Sequence, residues 1–445
     1  MRSLLLVSAL LLPAAATAQP QGSPAPAPGG TPSPVAARVD ARAVIAEVRR
    51  VLAERYVLPE RRPALDAALA EGLASGRYAT SDPAVLVERI NADLTRVAND
   101  RHLSISYDPR RAELMAARAP GGGPDPAVFE RATRSRNHGI FELKILPGNI
   151  RYVDYRGFDW MGAESAAALD HALAFLSGGD AIIIDLRRNG GGSPQAVQHL
   201  VSHFMEAGRP LVTFYMNGEA SPDQVQTLAQ TTVPRMVGKP LYVLTSGGSA
   251  SAAEEFVGHV GGYRLGELVG ERTAGAGFRN TIVPIPGGFF LSVSVGRAVL
   301  ASTGRDWEAT GLEPTIPVPV ETALDVAQAH ALRRLAASAQ GPRRADLEGL
   351  AQGLEAVARP GTPGAAMAAY AGTYGERAIV LEDGKLYYRL ATRPRRQLVS
   401  LGGHDFTFAD DPGQRVRFRV ADGRATAFDV GPAAGPAQGT YARTR

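Results

Sequence analysis

A serine-rich turn between a predicted buried strand and a predicted helix contains the clearest candidate nucleophile of the chain. Residues 241–244 are continuously apolar, Gly247 and Gly248 allow a tight turn, and a helix is expected to open at Ser249 or Ser251. Backbone N–H groups at a helix N-terminus lack intrahelical partners and the helix dipole is positive there, so negative charge is stabilised. A nucleophile and its oxyanion site would therefore share this turn, although a serine that only caps the helix fits the same residues.

A glycine-rich turn follows the most apolar predicted strand, residues 180–185. Its sequence is Asp185-Leu-Arg-Arg-Asn-Gly-Gly-Gly192, and three successive glycines let the backbone turn sharply and present N–H groups to a ligand. Three interpretations stay open: a phosphate cradle, a plain strand-to-helix turn, or an oxyanion donor beside a nucleophile on the next α/β unit. The phosphate interpretation is weak because no Gly-Lys-Ser/Thr follows.

A serine nucleophile needs a base, and histidine is the better candidate in this chain. No lysine lies shortly after Ser251, since the lysines are Lys144, Lys239 and Lys385. Histidine has a pKa near working pH. His102 is singled out because it is expected at a helix-to-strand junction beside Asp100.

Two further sets of side chains are weighed for chemistry. His199 and His203 are four residues apart on a predicted helix, a spacing that suits metal binding, but no third ligand is evident. The polar segment 304–314 contains Asp306, Glu308 and Glu313, which by sequence alone are ordinary solvated carboxylates. The sequence therefore predicts no metal site and no cofactor.

Strands and helices alternate around these motifs. Strands are predicted over 141–146, 150–155, 180–185, 211–215 and 241–244, and helices over 164–175, 194–204, 252–260 and 325–336. Continuous apolar strands alternating with helices predict an α/β fold whose sheet is covered on both faces. Residues 289–299 alternate and predict a more exposed, antiparallel strand.

Composition changes along the chain define the expected domains. The predicted order is a signal peptide (1–18), a Pro/Gly-rich linker (19–38), an N-terminal helical domain (39–117), a linker loop (118–138), an α/β core domain (139–340), a helical bridge (341–364) and a small antiparallel β domain (365–445). The signal peptide rests on an apolar run after Arg2 and on Ala16-Thr17-Ala18, a small-x-small cleavage site. The β domain rests on two hairpin turns, Asp383-Gly384 and Asp422-Gly423.

Composition also limits the partners and the chemistry. The net charge of +4 is small and basic residues are dispersed, so nucleic acid is not expected. No second long apolar run follows the signal, so stable membrane insertion is not expected. The chain has no cysteine, which excludes thiol nucleophiles, thiolate metal sites and disulfides. The sequence leaves the oligomeric state open.

Taken together and in order, the motifs resemble the tail-specific, or C-terminal processing, serine peptidase family. The resemblance covers roughly residues 40–325 and is closest to the branch containing the tricorn protease core and the interphotoreceptor retinoid-binding protein. The matching segments are Asp100-Arg-His-Leu103, Asp185-Leu-Arg-Arg-Asn-Gly-Gly-Gly192, Ser249-Ala-Ser-Ala-Ala-Glu254, and Gly270-Glu-Arg-Thr-Ala-Gly275 followed by Glu308-Ala-Thr-Gly-Leu-Glu-Pro314.

The resemblance implies a crotonase-like peptidase core and a role for each matched residue. Ser251, placed three residues before Glu254, would be the nucleophile, and the N–H groups of Ala252 and Gly191 would form the oxyanion hole. In the lysine-using branch a lysine follows the position of Gly275, whereas this chain has Ala276. The resemblance therefore implies the tricorn-like alternative.

In that alternative the base comes from the N-terminal domain and maps to His102, and the orienting carboxylate maps to Glu308. Two features depart from the family. Arg101 precedes His102 where a small residue is usual, and this guanidinium would lower the pKa of the base or bind a substrate carboxylate. Only about 35 residues separate His102 from Gly139, which leaves no room for a PDZ insert, so processive cleavage from a recognised C-terminus is not expected.

The resulting expectation is an exported, periplasmic or secreted serine endopeptidase or carboxy-terminal-processing-like peptidase. Its substrate would be a peptide or protein, cleaved by a Ser-His-Glu mechanism. The alternative is a non-catalytic ligand- or peptide-binding protein on the same fold, because fold does not fix function. An α/β-hydrolase esterase fits less well, since Ser251 lies outside a Gly-x-Ser-x-Gly elbow and His102 precedes it.

Overall fold

The computed structural model describes residues 39–110, 112, 126–219 and 221–444. The predicted signal peptide and linker, residues 1–38, lie outside this part of the chain, as do residues 113–125. The described helices are α1 (Ala41–Arg55), α2 (Arg62–Ala74), α3 (Pro83–Ala98), α4 (Pro126–Ser135), α5 (Ala163–Ser177), α6 (Pro194–Val201), α7 (Ala252–Gly262), α8 (Ala323–Ser338) and α9 (Gly341–Ala358). None of them is long and apolar enough to cross a membrane.

A six-stranded sheet forms the centre of the α/β core. Its members are β2 (Ile140–Leu146), β3 (Ile150–Tyr155), β4 (Ala181–Asp185), β7 (Leu241–Thr245), β8 (Glu267–Gly270) and β11 (Ile316–Pro317). They lie in the order β11-β8-β7-β4-β3-β2, and every neighbouring pair is parallel except β2–β3. Side chains on one face pack against α5, α6 and α7, and those on the other pack against α8 and α9. Helices on both faces explain why every residue of β4 and β7 is buried.

A second, antiparallel sheet joins the N-terminal helices to the core. It consists of β1 (Ser104–Tyr107), β5 (Pro210–Met216), β6 (Asp223–Gln226), β9 (Phe278–Ile285) and β10 (Phe289–Leu300). The long strand β10 pairs with β9 along one edge, and with β1 and then β5 along the other. Helices α1, α2 and α3 pack their buried faces against this sheet.

The C-terminal residues form an eight-stranded antiparallel sheet in simple chain order. Its strands are β12 (Gly372–Tyr374), β13 (Arg377–Glu382), β14 (Lys385–Leu390), β15 (Arg396–Gly402), β16 (Asp405–Phe408), β17 (Asp411–Ala421), β18 (Arg424–Pro432) and β19 (Gly439–Ala442). The Thr444 N–H donates to the Thr373 carbonyl, which brings the last strand back beside the first. Buried aromatic rings, among them Phe406, Phe418 and Phe428, fill the interior.

The predicted fold class is confirmed. The molecule has an α/β core of the peptidase type, a helical region before it and an antiparallel β domain after it. The last helix of the core region, α8, and the bridging helix α9 also lie where the sequence patterns place helices.

Three local predictions are wrong. The segment predicted as the strand 211–215 of the parallel sheet is β5, which lies in the second sheet because β3 and β7 already occupy both edges of β4. Strand β10 is largely buried, since the N-terminal helices cover it. The predicted linker loop 118–138 contains α4, where Pro126 fits the first turn and Glu130 pairs with Arg134 four residues later.

Candidate active site

The end of α3 positions His102. Asn99 terminates the helix in the left-handed region with φ +47°, a conformation that asparagine tolerates. The Asp100 side chain then accepts a hydrogen bond from the His102 N–H, with 2.8 Å between Oδ1 and N. The Ser292 hydroxyl of β10 donates to the His102 carbonyl. These contacts fix the backbone of His102 between the helical region and the second sheet.

Strand β1 is also tied to α3 by a side chain. The amide of Asn91 donates to the Ile105 carbonyl at 2.9 Å and accepts from the Ile105 N–H at 2.8 Å. With this pair of hydrogen bonds, one side chain of α3 takes the place of a neighbouring strand beside Ile105. It sets the register of the chain just after His102.

His102 lies in a buried group with two carboxylates. Asp100, His102 and Glu308 each contribute one side-chain atom to a set in which all atoms lie within 4.8 Å of one another. Within the described chain, His102 Nδ1, Glu308 Oε1 and Asp100 Oδ2 are buried and have no hydrogen-bond partner. The structure thus brings the predicted histidine and glutamate together.

Glu308 is anchored through its other oxygen. Its Oε2 accepts from the Gly277 and Phe278 N–H groups at 2.6 and 2.8 Å. Burial raises the pKa of Glu308 to about 7, and the negative charge of Asp100 adds to this, while hydrogen bonds from backbone N–H groups oppose it. A carboxyl that changes charge near neutral pH, next to a histidine, is the kind of perturbed group that marks functional sites.

Burial also acts on His102, the predicted base. It lowers the pKa of His102, the carboxylate of Asp100 opposes this effect, and the guanidinium of Arg279 adds to it. The cation that acts on the imidazole is therefore Arg279, and not Arg101, its neighbour in the sequence. The result is a neutral imidazole at neutral pH, the form that can accept a proton.

The second half of the predicted site is the turn between β7 and α7. Ser249 is a structural residue, because its hydroxyl donates to the Leu186 carbonyl and accepts from the Ser246 N–H. Ser251 differs, since its side-chain oxygen lies at the start of α7, where it forms a capping box with the Glu254 backbone N–H. Its backbone has φ +55° and ψ −120°, a strained conformation for a residue with a side chain.

The strain at Ser251 is held in place by Glu254. This carboxylate is fully buried and accepts from the Ser251 N–H at 2.9 Å. It also accepts from the Gly275 and Ala276 N–H groups at 2.7 and 2.8 Å and from the Thr273 hydroxyl at 2.6 Å. Glu254 thus joins the serine turn to the segment that carries Ala276, where the lysine-using relatives have their base.

The predicted oxyanion donors lie beside Ser251. Ala252 is the first residue of α7 and its N–H has no partner among the described residues. The Gly191 N–H donates to Asn189 Oδ1 at 2.9 Å, so it is engaged here. The N–H of Gly192 is free of partners within the same part of the chain, and this glycine lines the cleft that contains Ser251.

Gly191 is nevertheless closely fitted to the serine turn. It has φ +103°, and a Cβ built on it would lie 2.7 Å from both the Ala250 carbonyl oxygen and Ser251 Cβ. Only glycine accepts this conformation and this approach. The turn after β4 and the turn after β7 therefore pack as one unit.

Ser251 opens into a cleft of about 380 Å³. Its walls include Phe129, Trp160, Ser193, Gln195, Phe278 and Arg279. Phe278 links the two halves of the site, because its side chain borders the cleft and its N–H donates to Glu308. No hydrogen bond joins Ser251 to His102 among the described residues, so the structure brings both halves to one region without closing the contact between them.

Asp100, His102 and Glu308 are one of two groups in the described chain whose side-chain atoms lie close enough together to hold a metal ion. One oxygen of Glu308 accepts from two backbone N–H groups, and one oxygen of Asp100 accepts from the His102 N–H. A different trio, Asp170, His199 and His203, has its ligand-type atoms within 4.8 Å of one another and lies outside the cleft lining.

Sequence patterns missed two residues that support this site. Asp100 was noted only as a neighbour of His102, although the pattern Asp-x-His at a helix end indicates a side chain that accepts from the backbone two residues later. From the sequence, Glu254 served only as the reference position that lies three residues after Ser251. The capping-box spacing from Ser251 to Glu254 is a signal for its contact with the Ser251 N–H.

A serine at a helix N-terminus, a neutral buried histidine and a carboxylate define the serine-hydrolase class of site. Residues 149–318 match peptidase family S41. Residues 35–137 match the N-terminal domain of Peptidase_S41 in eukaryotic IRBP. The chain belongs to peptidase family S41, and the resemblance inferred from the motifs is confirmed.

Individual relatives are similar over a limited part of their length. The carboxy-terminal processing protease CtpB of Bacillus subtilis is 27% identical over 179 residues, which is 40% of this chain and 35% of the relative. The carboxyl-terminal-processing protease of Synechocystis is 29% identical over 156 residues, 33% of each chain. The chain thus spans about a third of the length of the curated relatives it matches.

Among solved structures, the photosystem II D1 C-terminal processing protease has a TM-score of 0.41 and 19% identity, covering 64% of this chain and 94% of that one. The tricorn protease has a TM-score of 0.40 and 11% identity, covering 64% of this chain and 35% of that one.

Proposed function

We propose that the protein is an exported serine endopeptidase, or carboxy-terminal-processing-like peptidase, that hydrolyses peptide bonds with Ser251, His102 and Glu308. The observation that carries the proposal is that His102 and Glu308 lie in one group with Asp100, and that His102 Nδ1 and Glu308 Oε1 are buried without a hydrogen-bond partner in the described chain. Phe278, whose N–H donates to Glu308, lines the cleft that contains Ser251. Buried polar atoms without partners are costly, at about 1–3 kcal/mol each, and are expected where chemistry uses them.

Each residue has a distinct role in the proposed reaction. The Ser251 oxygen attacks the peptide carbonyl carbon, and His102 Nε2 accepts the hydroxyl proton and returns it to the leaving amine. Glu308 accepts from the His102 Nδ1–H and stabilises the imidazolium that forms. Water then attacks the acyl-enzyme with His102 again as base, which releases the carboxylic acid and restores the serine.

The negative oxygen of the tetrahedral intermediate would lie between two turns. The Ala252 N–H is one donor, since it is unpaired at the start of α7. The second donor comes from the glycine turn, either from Gly191 after release of Asn189 or from Gly192, whose N–H is already free. Such donors each contribute a factor of about a hundred to a thousand in turnover.

Labelling with a fluorophosphonate probe tests the nucleophile. The wild-type chain should be labelled and should cleave an unstructured protein such as casein, whereas Ser251→Ala should do neither. Ser193→Ala is the matched control, because Ser193 lines the same cleft and its hydroxyl bonds only within the first turn of α6, where it accepts from the Gln195 N–H and donates to Gln195 Oε1. Labelling that persists in Ser251→Ala, or is lost equally in Ser193→Ala, would refute the assignment.

A binding protein on the same fold is the second candidate. It is favoured by one observation, the lack of a hydrogen bond between Ser251 and His102 in the described structure. Tight peptide binding that is unchanged in Ser251→Ala, together with no hydrolysis and no labelling, would select this function. Turnover of casein by the wild type and not by Ser251→Ala would exclude it.

The proposal also covers export of the protein and the domain that supplies each catalytic residue. Residues 1–18 would direct export, and the mature protein recovered from a bacterial periplasm or medium should begin at Gln19 by N-terminal sequencing. The helical domain 39–117 would supply the base and the core 139–340 the nucleophile. A mature protein that still carries residues 1–18 would contradict the export step without affecting the catalytic one.

A further inference from the structure

A second cluster of potential ligands lies on α5 and at the end of α6. Sequence spacing brought His199 and His203 together but offered no third ligand, and the fold supplies it as Asp170 of α5. We propose that Asp170, His199 and His203 bind one divalent transition-metal ion of the Zn²⁺ type. This site is separate from the Ser251 chemistry and does not depend on it.

The distances suit a metal of that size. His199 Nε2 lies 2.7 Å from Asp170 Oδ1, and His203 Nε2 lies 4.0 Å from the same oxygen. Ligands about 2.0–2.1 Å from a tetrahedral zinc ion are roughly 3.3 Å from one another. Small movements of these side chains, together with loss of the proton that His199 Nε2 now donates to Asp170, would therefore convert the present arrangement into three sides of a zinc site.

His203 already has the tautomer that binds a metal. Its Nδ1 lies 2.9 Å from the His199 carbonyl, which can only accept, so Nδ1 carries the proton. Nε2 of the neutral ring is then an acceptor with a free lone pair. A backbone carbonyl in this position is the common outer partner of metal-bound histidines, since it orients the ring and raises its basicity.

The lone pair of His203 faces another acceptor and not a donor. His203 is fully buried and its Nε2 has no hydrogen-bond partner among the described residues, while the nearby Asp170 oxygen already accepts from His199. Two acceptors that face each other across 4.0 Å, without a donor between them, are stabilised by a cation. A plain His199–Asp170 ion pair explains the first contact, and the His199 carbonyl orients the His203 ring, but neither supplies a partner for His203 Nε2.

The donor set indicates which ions fit. Two imidazole nitrogens and one carboxylate oxygen favour Zn²⁺, Co²⁺, Ni²⁺ or Cu²⁺ over Mg²⁺ or Ca²⁺, which prefer oxygen ligands. Asp170 and His199 retain 14% and 10% exposure of their side chains, so an ion and a water ligand can reach the site. Bound metal would also stiffen α6, whose first residues line the cleft.

Metal uptake by the purified full-length chain tests the proposal without reference to activity. The protein is treated with EDTA, the chelator is removed, and Co²⁺ is titrated while visible absorption is recorded, followed by displacement with Zn²⁺. We expect one Co²⁺ per chain with the intense bands of a tetrahedral site and full displacement by Zn²⁺. Asp170→Asn and His199→Gln should each weaken binding by about tenfold or more.

His171→Gln is the matched control, because His171 is the exposed neighbour of Asp170 on the same helix. It should bind like the wild type, and Zn²⁺ should raise the melting temperature of both, but not that of Asp170→Asn. Circular dichroism shows whether each variant folds. Absence of one-to-one uptake by the wild type, or equal loss in His171→Gln and His199→Gln, would overturn the proposal even if a variant were unfolded.

Discussion

Replacing Asp100 by asparagine tests whether Glu308 and His102 act as one acid–base unit. Asparagine keeps the oxygen that accepts the 2.8 Å hydrogen bond from the His102 N–H but removes the negative charge. After burial, the charge of Asp100 is the next cause that raises the pKa of Glu308, and it also raises the pKa of His102 against the effect of burial. Its removal should lower both pKa values.

The direction of the pH effect is the same whether ionisation of Glu308 or of His102 determines the acid limb of the pH–rate profile. The proposed mechanism needs Glu308 ionised and His102 neutral, and each of these forms predominates above the pKa of its group. Lowering either pKa therefore moves the acid limb of kcat/KM to lower pH. The stability that these groups confer is not involved, since the assay follows turnover by folded protein.

The size of the shift follows from the geometry. Charges within 4.8 Å of one another interact by about 3 kcal/mol at an effective dielectric constant of about 20, and solvent and salt reduce this. A shift of about one pH unit requires less than half of that energy. With the pKa of Glu308 raised to about 7 by burial, about a tenth of it is ionised at pH 6, and a shift of one unit makes this about half. The ratio of kcat/KM at pH 6 to kcat/KM on the high-pH plateau should therefore be about fivefold larger in Asp100→Asn than in the wild type.

The assay is cleavage of a fluorogenic unstructured peptide between about pH 5 and 9, with Ser251→Ala as the blank. Asp100→Glu is the control, because it keeps the charge and should leave the acid limb near its wild-type position. An acid limb in Asp100→Asn that stays in place or moves to higher pH would show that the charge of Asp100 does not act on the groups that catalyse.

Three other substitutions have definite expected outcomes. Gly191→Ala should lower turnover by about a hundredfold or more, because the new Cβ would lie 2.7 Å from the Ala250 carbonyl and Ser251 Cβ; steady-state kinetics on folded protein would show this, and normal turnover would contradict the packing argument. Glu254→Gln places an amide donor against N–H donors, so urea unfolding should show a loss of about 3 kcal/mol, and an unchanged midpoint would argue against the anchoring role. Glu308→Gln should give a slower enzyme without an ionisation near pH 7, and a pH profile of wild-type shape would assign that ionisation elsewhere.

The helices and central strands were predictable because their signals are local. Asp82 caps α3 and Pro83 lies in its first turn, while Leu86, Ile90 and Leu94 repeat along the face that the structure buries. Residues 181–184 of β4 and 241–244 of β7 are continuously apolar or aromatic, which indicates a sheet buried on both faces. The same reasoning placed Ser251 at the start of a helix, and this part of the site follows from sequence.

The grouping of Asp100, His102 and Glu308 could not be derived from local patterns. Glu308 follows His102 by about 200 residues, and its neighbours are typical of an exposed polar turn. Its position depends on long-range strand pairing that no periodicity reports: β10 pairs with β1 and with β9, and the N–H groups of Gly277 and Phe278, at the start of β9, donate to Glu308. The placement of β5 failed for the same reason, since strand partners depend on which edges the remaining chain leaves open.

Strand β10 determines how the two halves of the candidate site relate to each other. Ser292, near one end, pairs with Ser104 of β1 and holds the His102 carbonyl, while the other end pairs with β5 of the core. Strand β9, on its opposite edge, begins at Phe278, which borders the Ser251 cleft and donates to Glu308. His102 and Glu308 are therefore both tied to the β9–β10 pair. Because His102 and Glu308 already lie in one group, the mechanism proposed above requires substrate binding to close one further contact, from His102 to Ser251.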